Sequence, residues 1–104
     1  MSDYLGEFEQ LLLLAVLRLG RDADGISVRD VLRTRAGRNV SFGAIYSCIR
    51  RLERKSLLTS DLSEPQPVRG GRARKLLAVT REGRAALVDS QRSLGRMSEG
   101  VKLS

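Results

Sequence analysis

A chain of 104 residues has room for one small domain, and a domain of that size buries a modest share of its surface and gains from a second subunit. A formal net charge of +7 favours a polyanionic partner, either nucleic acid or an anionic membrane surface. The absence of His removes His-based triads, His-ligated metals and imidazole acid–base chemistry, and the single cysteine, Cys48, removes any intrachain disulfide.

Other chemistries leave equally little trace. The acidic residues are scattered among basic ones, and no Gly-rich phosphate loop of the P-loop or dinucleotide type is present; Gly70-Gly71 is a turn signal. Cys48 falls near the apolar side of its helix and reads as a small core filler. These features point away from an enzyme and call for no metal or cofactor. The longest apolar run, residues 11–17, is seven residues long, against about 20 for a membrane span. With no signal-peptide pattern, the expected location is the cytoplasm, with no membrane partner.

Residues 1–6 form a short polar start. From residue 3 or 4 to Leu19 the pattern is helical, with Leu5, Phe8, Leu12, Val16 and Leu19 as the main stripe and Leu11, Leu13, Leu14, Ala15 and Leu17 adding apolar surface almost all round. A helix apolar on every side is buried on every side. Either a second copy of the chain covers it, or it is the central helix of a monomeric bundle. Gly20 ends it.

After a polar loop over residues 21–25, Ser27 is expected to start a second helix, with Ser27-x-x-Asp30 as a capping box. Val28, Val31 and Leu32 supply its buried side and Arg29, Arg33 and Arg35 its wet side, and Gly37 stops it. Ser41 then caps a third helix, in the stretch SFGAIYSCIRRLERKSLL. Ile45, Ile49 and Leu52 make its apolar stripe. On the opposite side Gly43, Ser47, Arg50 and Arg54 line up, with Ala44 and Arg51 beside them. Small residues come first and arginines later, an order that suits close approach to base edges and then reach to phosphates. The plainer alternative is a solvated basic face. Two helices joined by a short glycine-containing turn, the second basic outside, make a helix-turn-helix pattern.

The period then changes. Leu58–Leu62 alternates apolar and polar as a short strand, Pro65, Pro67 and Gly70-Gly71 mark a loop, and residues 73–79 read as a return strand. The tip of this hairpin carries Arg69, Arg72, Arg74 and Lys75 with no acid among them, which suits phosphate or minor-groove contact better than a solvated loop of mixed sign. Thr80 caps a last helix, Arg81–Ser98 or beyond, in which Gly83, Leu87, Ser90, Leu94, Met97 and Val101 follow alternating steps of four and three. That spacing fits packing on a partner's helices or simple docking on its own domain.

In order, these pieces are mostly α with a β-hairpin. They give a winged helix-turn-helix of three N-terminal helices and a two-stranded wing over residues 1–79, and a C-terminal dimerisation helix over 80–104, in one compact unit. The segments GAIYSCIRRLERKSLL, GGRARKLLAVT and TREGRAAL resemble the PadR-like transcriptional regulators: a Gly-x-x-Tyr step at Gly43 to Tyr46, the pair Leu52-Glu53, a Gly-rich basic wing, and Thr-x-x-Gly-Arg at Thr80 to Arg84. The resemblance covers nearly the whole chain and fits the subgroup with a single C-terminal helix.

It implies a homodimeric repressor that binds double-stranded DNA at a palindromic operator near its own or neighbouring genes. The third helix would enter the major groove through Ser41, Gly43, Ala44, Tyr46, Ser47, Arg50, Arg51 and Arg54, with Tyr46, Ser47 and Arg50 on bases. Arg69, Arg72 and Arg74 would hold the flanking backbone or minor groove. The first and last helices would form the dimer through Leu5, Phe8, Leu12, Leu87, Leu94, Met97 and Val101. The chain departs from the family pattern at Ile26, Ser56 and Leu76-Leu77. Its aromatics are Tyr4, Phe8, Phe42 and Tyr46, which do not form the platform on which some relatives hold flat aromatic effectors, so a small-molecule effector stays unassigned. The rival reading is a winged helix used as a protein-interaction module for an acidic partner.

Overall fold

The computed structural model describes residues 4–62 and 74–104. Helix α1 spans Glu7–Leu19, α2 Gly25–Ala36, α3 Phe42–Arg54 and α4 Arg81–Ser98; strands β1 (Leu58–Leu62) and β2 (Lys75–Val79) lie between α3 and α4. The order is the expected one; the differences are at helix starts and at β2, which begins at Lys75 where the sequence predicts a strand over residues 73–79. α1 begins at Glu7, not at residue 3 or 4, because the Gly6 N–H is taken by the Glu9 carboxylate in a capping box. α2 begins two residues ahead of Ser27. Its cap is Asp24, whose Oδ1 accepts the Ser27 N–H at 2.8 Å, and Asp30 instead faces solvent beside Arg33.

Other boundaries follow the sequence directly. Gly37 ends α2 in the left-handed region at φ 67°, which glycine adopts freely. Ser41 caps α3 through the Ala44 N–H, and Thr80 caps α4 through the Gly83 N–H. The strands pair antiparallel with Leu58 opposite Val79, Ser60 opposite Leu77 and Leu62 opposite Lys75. The Leu77 N–H also donates to the Ala23 carbonyl at 2.8 Å, which ties β2 to the start of α2. Two strands alone are marginal in water, so this tie and the core beneath Leu58 and Leu77 hold the hairpin root.

The core is a single cluster. α1 contributes Leu12, Leu13, Ala15 and Val16, α2 Val28 and Leu32, α3 Ile45, Cys48, Ile49 and Leu52, and Leu57, Leu58, Leu77 and Leu87 close it. Cys48 is buried there and its thiol is pushed up by burial, as a packing residue requires. α4 enters over Gly83, where a Cβ would collide with the Leu57 carbonyl oxygen. Gly83, the first residue of the series in steps of four and three, is therefore the point at which α4 crosses its own chain. α4 then leaves the core, and every residue from Gln91 onward is exposed. None of the described helices is long and apolar enough to cross a membrane.

Candidate nucleic-acid interface

α3 is held on three sides, and the fourth is open. Toward α1, the Glu9 carboxylate accepts from Lys55 Nζ at 3.0 Å and from Arg51 Nε at 3.2 Å. Toward the hairpin, Glu53 accepts from the Ser60 hydroxyl at 2.8 Å. Toward α2, the Tyr46 ring lies over Gly25, where a Cβ would fall 2.8 Å from the ring carbon Cζ. The open side carries Gly43, Ala44, Ser47, Arg50 and Arg54, all exposed. A Cβ on Gly43 would meet nothing nearer than the Ser41 hydroxyl at 3.8 Å, so another molecule can approach the backbone there.

The residues expected at this interface fall into three groups. Gly43, Ala44, Ser47, Arg50 and Arg54 share the outward row, with Arg50 Nη2 donating weakly to Ser47 Oγ at 3.4 Å; Ser41, exposed at the helix start, is occupied as its cap. Tyr46, Arg51 and Arg74 are engaged within the fold. Tyr46 is half-buried on α2, Arg51 is bound to Glu9, and Arg74 donates through Nε to Asp24 Oδ2 at 2.7 Å and through Nη2 to the Asp22 carbonyl at 3.1 Å. Arg69 and Arg72 lie outside the described residues.

Two carboxylates organise the site. Glu9 is 5% exposed on the core side of α1. Burial raises its pKa, but the Gly6 N–H and the Lys55 and Arg51 cations outweigh this and hold it below the usual carboxylate range. Asp24 is also lowered: burial opposes, and the Ser27 N–H and Arg74 prevail. With one oxygen Asp24 caps α2 and with the other it anchors the root of β2. Neither acid was singled out from the sequence. For Glu9 a signal existed, since residues 5, 9, 12 and 16 fall on one helical stripe and an acid inside an apolar stripe needs partners.

The residues expected to form the dimer divide likewise. Leu12 is fully enclosed by its own chain, Leu5 and Leu87 are buried in the same core, and Phe8 is half-buried. Leu94, Met97 and Val101 are open, at 67%, 76% and 55% exposure. α1 is thus covered largely by α2, α3, α4 and β2 of its own domain. Its pattern, apolar all round, reflects a central position in the fold; among the described residues, exposed apolar side chains lie at Leu94 and Met97 on the far end of α4 and at Val101 just beyond it, and singly elsewhere at Tyr4, Ile26 and Leu62.

Known proteins resemble this chain in sequence or in fold. The transcriptional regulator Rv3488 of Mycobacterium tuberculosis is 40% identical over 68 residues, a stretch that is 65% of this chain and 60% of that protein. The crystal structure of a PadR family regulator from Clostridium difficile superposes with TM-score 0.70 at 24% identity, over 90% of this chain and 93% of that one. A PadR family regulator from Eggerthella lenta gives TM-score 0.68 at 26% identity, over 91% and 82%. The model of the transcriptional regulator PadR-like family matches residues 13–89, which run from α1 through the helix-turn-helix and the hairpin into α4. By that match the chain belongs to the PadR-like family of transcriptional regulators.

Proposed function

We propose that this chain is a sequence-specific double-stranded DNA-binding repressor that acts as a homodimer on a palindromic operator in the cytoplasm. The observation that carries the reading is the outward row of α3: Gly43, Ala44, Ser47 and Arg50 exposed in succession, on a helix whose other sides are fixed to α1, α2 and the hairpin. A reading helix must be held rigidly and be small-featured where it meets base edges. In this reading Ser47 and Arg50 contact bases, with Arg50 suited to bidentate contact with guanine. Arg54 and the wing arginines Arg69 and Arg72 contact phosphates. Tyr46, Arg51 and Arg74 position the elements that do so. Residues 1–79 form the DNA-binding part. Residues 80–104 carry the second copy, through Leu94, Met97 and Val101, and two-fold symmetry sets half-sites about 10 base pairs or a multiple apart. The family membership supports regulation by DNA binding, and the exposed end of α4 supports the dimer.

The test is fluorescence anisotropy of the purified chain on the intergenic duplex upstream of its own gene and on a scrambled duplex, at two salt concentrations. The reading expects a preference of about 10³ or more for the native duplex and a steep loss of affinity with salt. Arg50→Ala should remove much of the preference and leave scrambled-duplex binding nearly unchanged. Absence of binding to any duplex at low salt would transfer the basic face to an acidic protein partner.

A further inference from the structure

Phe42 is the first residue of α3 and lies beside the open backbone at Gly43. It is 37% exposed, and the helix start does not need its ring. The cap is the Ser41 hydroxyl, and Val40 at the preceding position already packs on the core. The ring is nonetheless fixed. It stacks on Tyr46 at 6.4 Å between centroids and 28° between planes, and Tyr46 is itself set against Gly25. The Arg29 guanidinium lies 4.4 Å from the Phe42 centroid, and Arg29 Nε donates to the Val40 carbonyl at 2.9 Å, so the cation is anchored as well. α2, the turn and α3 together hold one large apolar ring, partly bare, at the N-terminal end of the candidate reading helix. A side chain already ordered loses little entropy on binding. In the major groove the apolar feature on the base edges is the thymine methyl group; guanine, cytosine and adenine present donors and acceptors there.

We propose that Phe42 reads a thymine methyl group in each half-site, which makes it a specificity-determining residue beside Ser47 and Arg50. This rests on the reading that α3 enters the major groove. The test begins with duplexes selected from a random pool by the intact chain. These are resynthesised with uracil at each thymine in turn, which removes one methyl group and keeps the hydrogen-bonding edges. The expected result is one thymine position whose replacement weakens wild-type binding about fourfold, the value of one buried methyl-sized group. Phe42→Ala should show no such loss, and Phe42→Leu should recover part of it. Phe42→Ala gives up the contacts with Tyr46 and Arg29 and should melt somewhat below the wild type, so binding is compared at a temperature where every protein is folded, and Phe42→Leu keeps the comparison valid where alanine perturbs the helix start. An equal loss in Phe42→Ala would assign the methyl group to another side chain. No methyl-dependent position in the wild type would overturn the proposal while leaving DNA binding intact. Failure of the wild type to select any duplex would remove the DNA-binding reading and this inference with it.

Discussion

The Tyr46 ring occupies the space that a side chain on Gly25 would need: a Cβ there would lie 2.5 Å from the hydroxyl oxygen and 2.8 Å from Cζ. This pair sets how α3 lies on α2. In an exposed helix interior an exchange of glycine for alanine stabilises by about 1 kcal/mol, but here the ring must move, and overpacking costs about 1–3 kcal/mol. We expect Gly25→Ala to destabilise the chain in urea unfolding, and Gly25→Ala placed on Tyr46→Ala to be neutral or stabilising. Additive effects in this double-mutant cycle would show that the two residues do not constrain each other.

Ser56, just after α3, adopts φ 62°, a left-handed conformation that side chains with a Cβ rarely take. Two hydrogen bonds hold it there: its N–H donates to the Glu53 carbonyl, and its carbonyl accepts from the Thr80 hydroxyl at 2.8 Å. Ser56→Gly should relieve the strain and raise stability by up to about 1 kcal/mol. Thermal melting checks this, and a lowered melting temperature would mean that the serine side chain contributes more than its backbone costs.

Much of this molecule is legible in its sequence because the signals are local. Gly37, Ser41 and Thr80 act at helix ends through their nearest neighbours, and the alternation in Leu58–Leu62 reports a strand directly. What the sequence does not show is pairing across long separations. Arg74 meets Asp24 from 50 residues away, and Arg51 and Lys55 meet Glu9 from 42 and 46. Helical spacing sets Arg51 beside Arg50 and Arg54, and the charge run sets Arg74 with Arg69 and Arg72; neither signal shows that Arg51 and Arg74 are bound to acids of their own fold. The crowding of leucines in α1 is equally ambiguous, since a helix central in one domain and a helix between two subunits bury the same residue types.

Glu9 and its two cations therefore behave as a structural set. The folded carboxyl is more acidic than the ordinary glutamate value of about 4.3. Its contribution is complete above that pH and is lost as pH falls toward the lower folded value. Glu9→Gln should cost about 1–3 kcal/mol at neutral pH, and its stability should fall less steeply than that of the wild type as pH drops below about 5. Parallel pH profiles of the two proteins would rule this out. On DNA, Arg51→Ala should lower stability and leave the salt dependence of binding nearly unchanged. Arg54→Ala, on the open row, should leave stability unchanged and reduce the slope by about 0.9. The reverse pattern would return Arg51 to the phosphate contacts.

The two ends of the expected dimer surface can be separated by experiment, because Leu12 is fully buried in its own domain and Leu94 and Met97 are exposed on α4. Leu12→Ala should cost about 2–5 kcal/mol of folding stability, the cavity penalty of a well-packed leucine. Leu94→Glu with Met97→Glu leaves the core untouched, so each chain should fold as before, while a charged seam should separate the copies. Sedimentation velocity would then give a monomer for this double variant and a dimer for the wild type at the same concentration. Loss of the dimer should also weaken operator binding far more than binding to random DNA, since a palindrome is read by two linked helices and each alone covers one half-site. A double variant that stays dimeric would move the subunit contact away from the end of α4, toward the half-buried side of α1 at Phe8, Leu11 and Leu14.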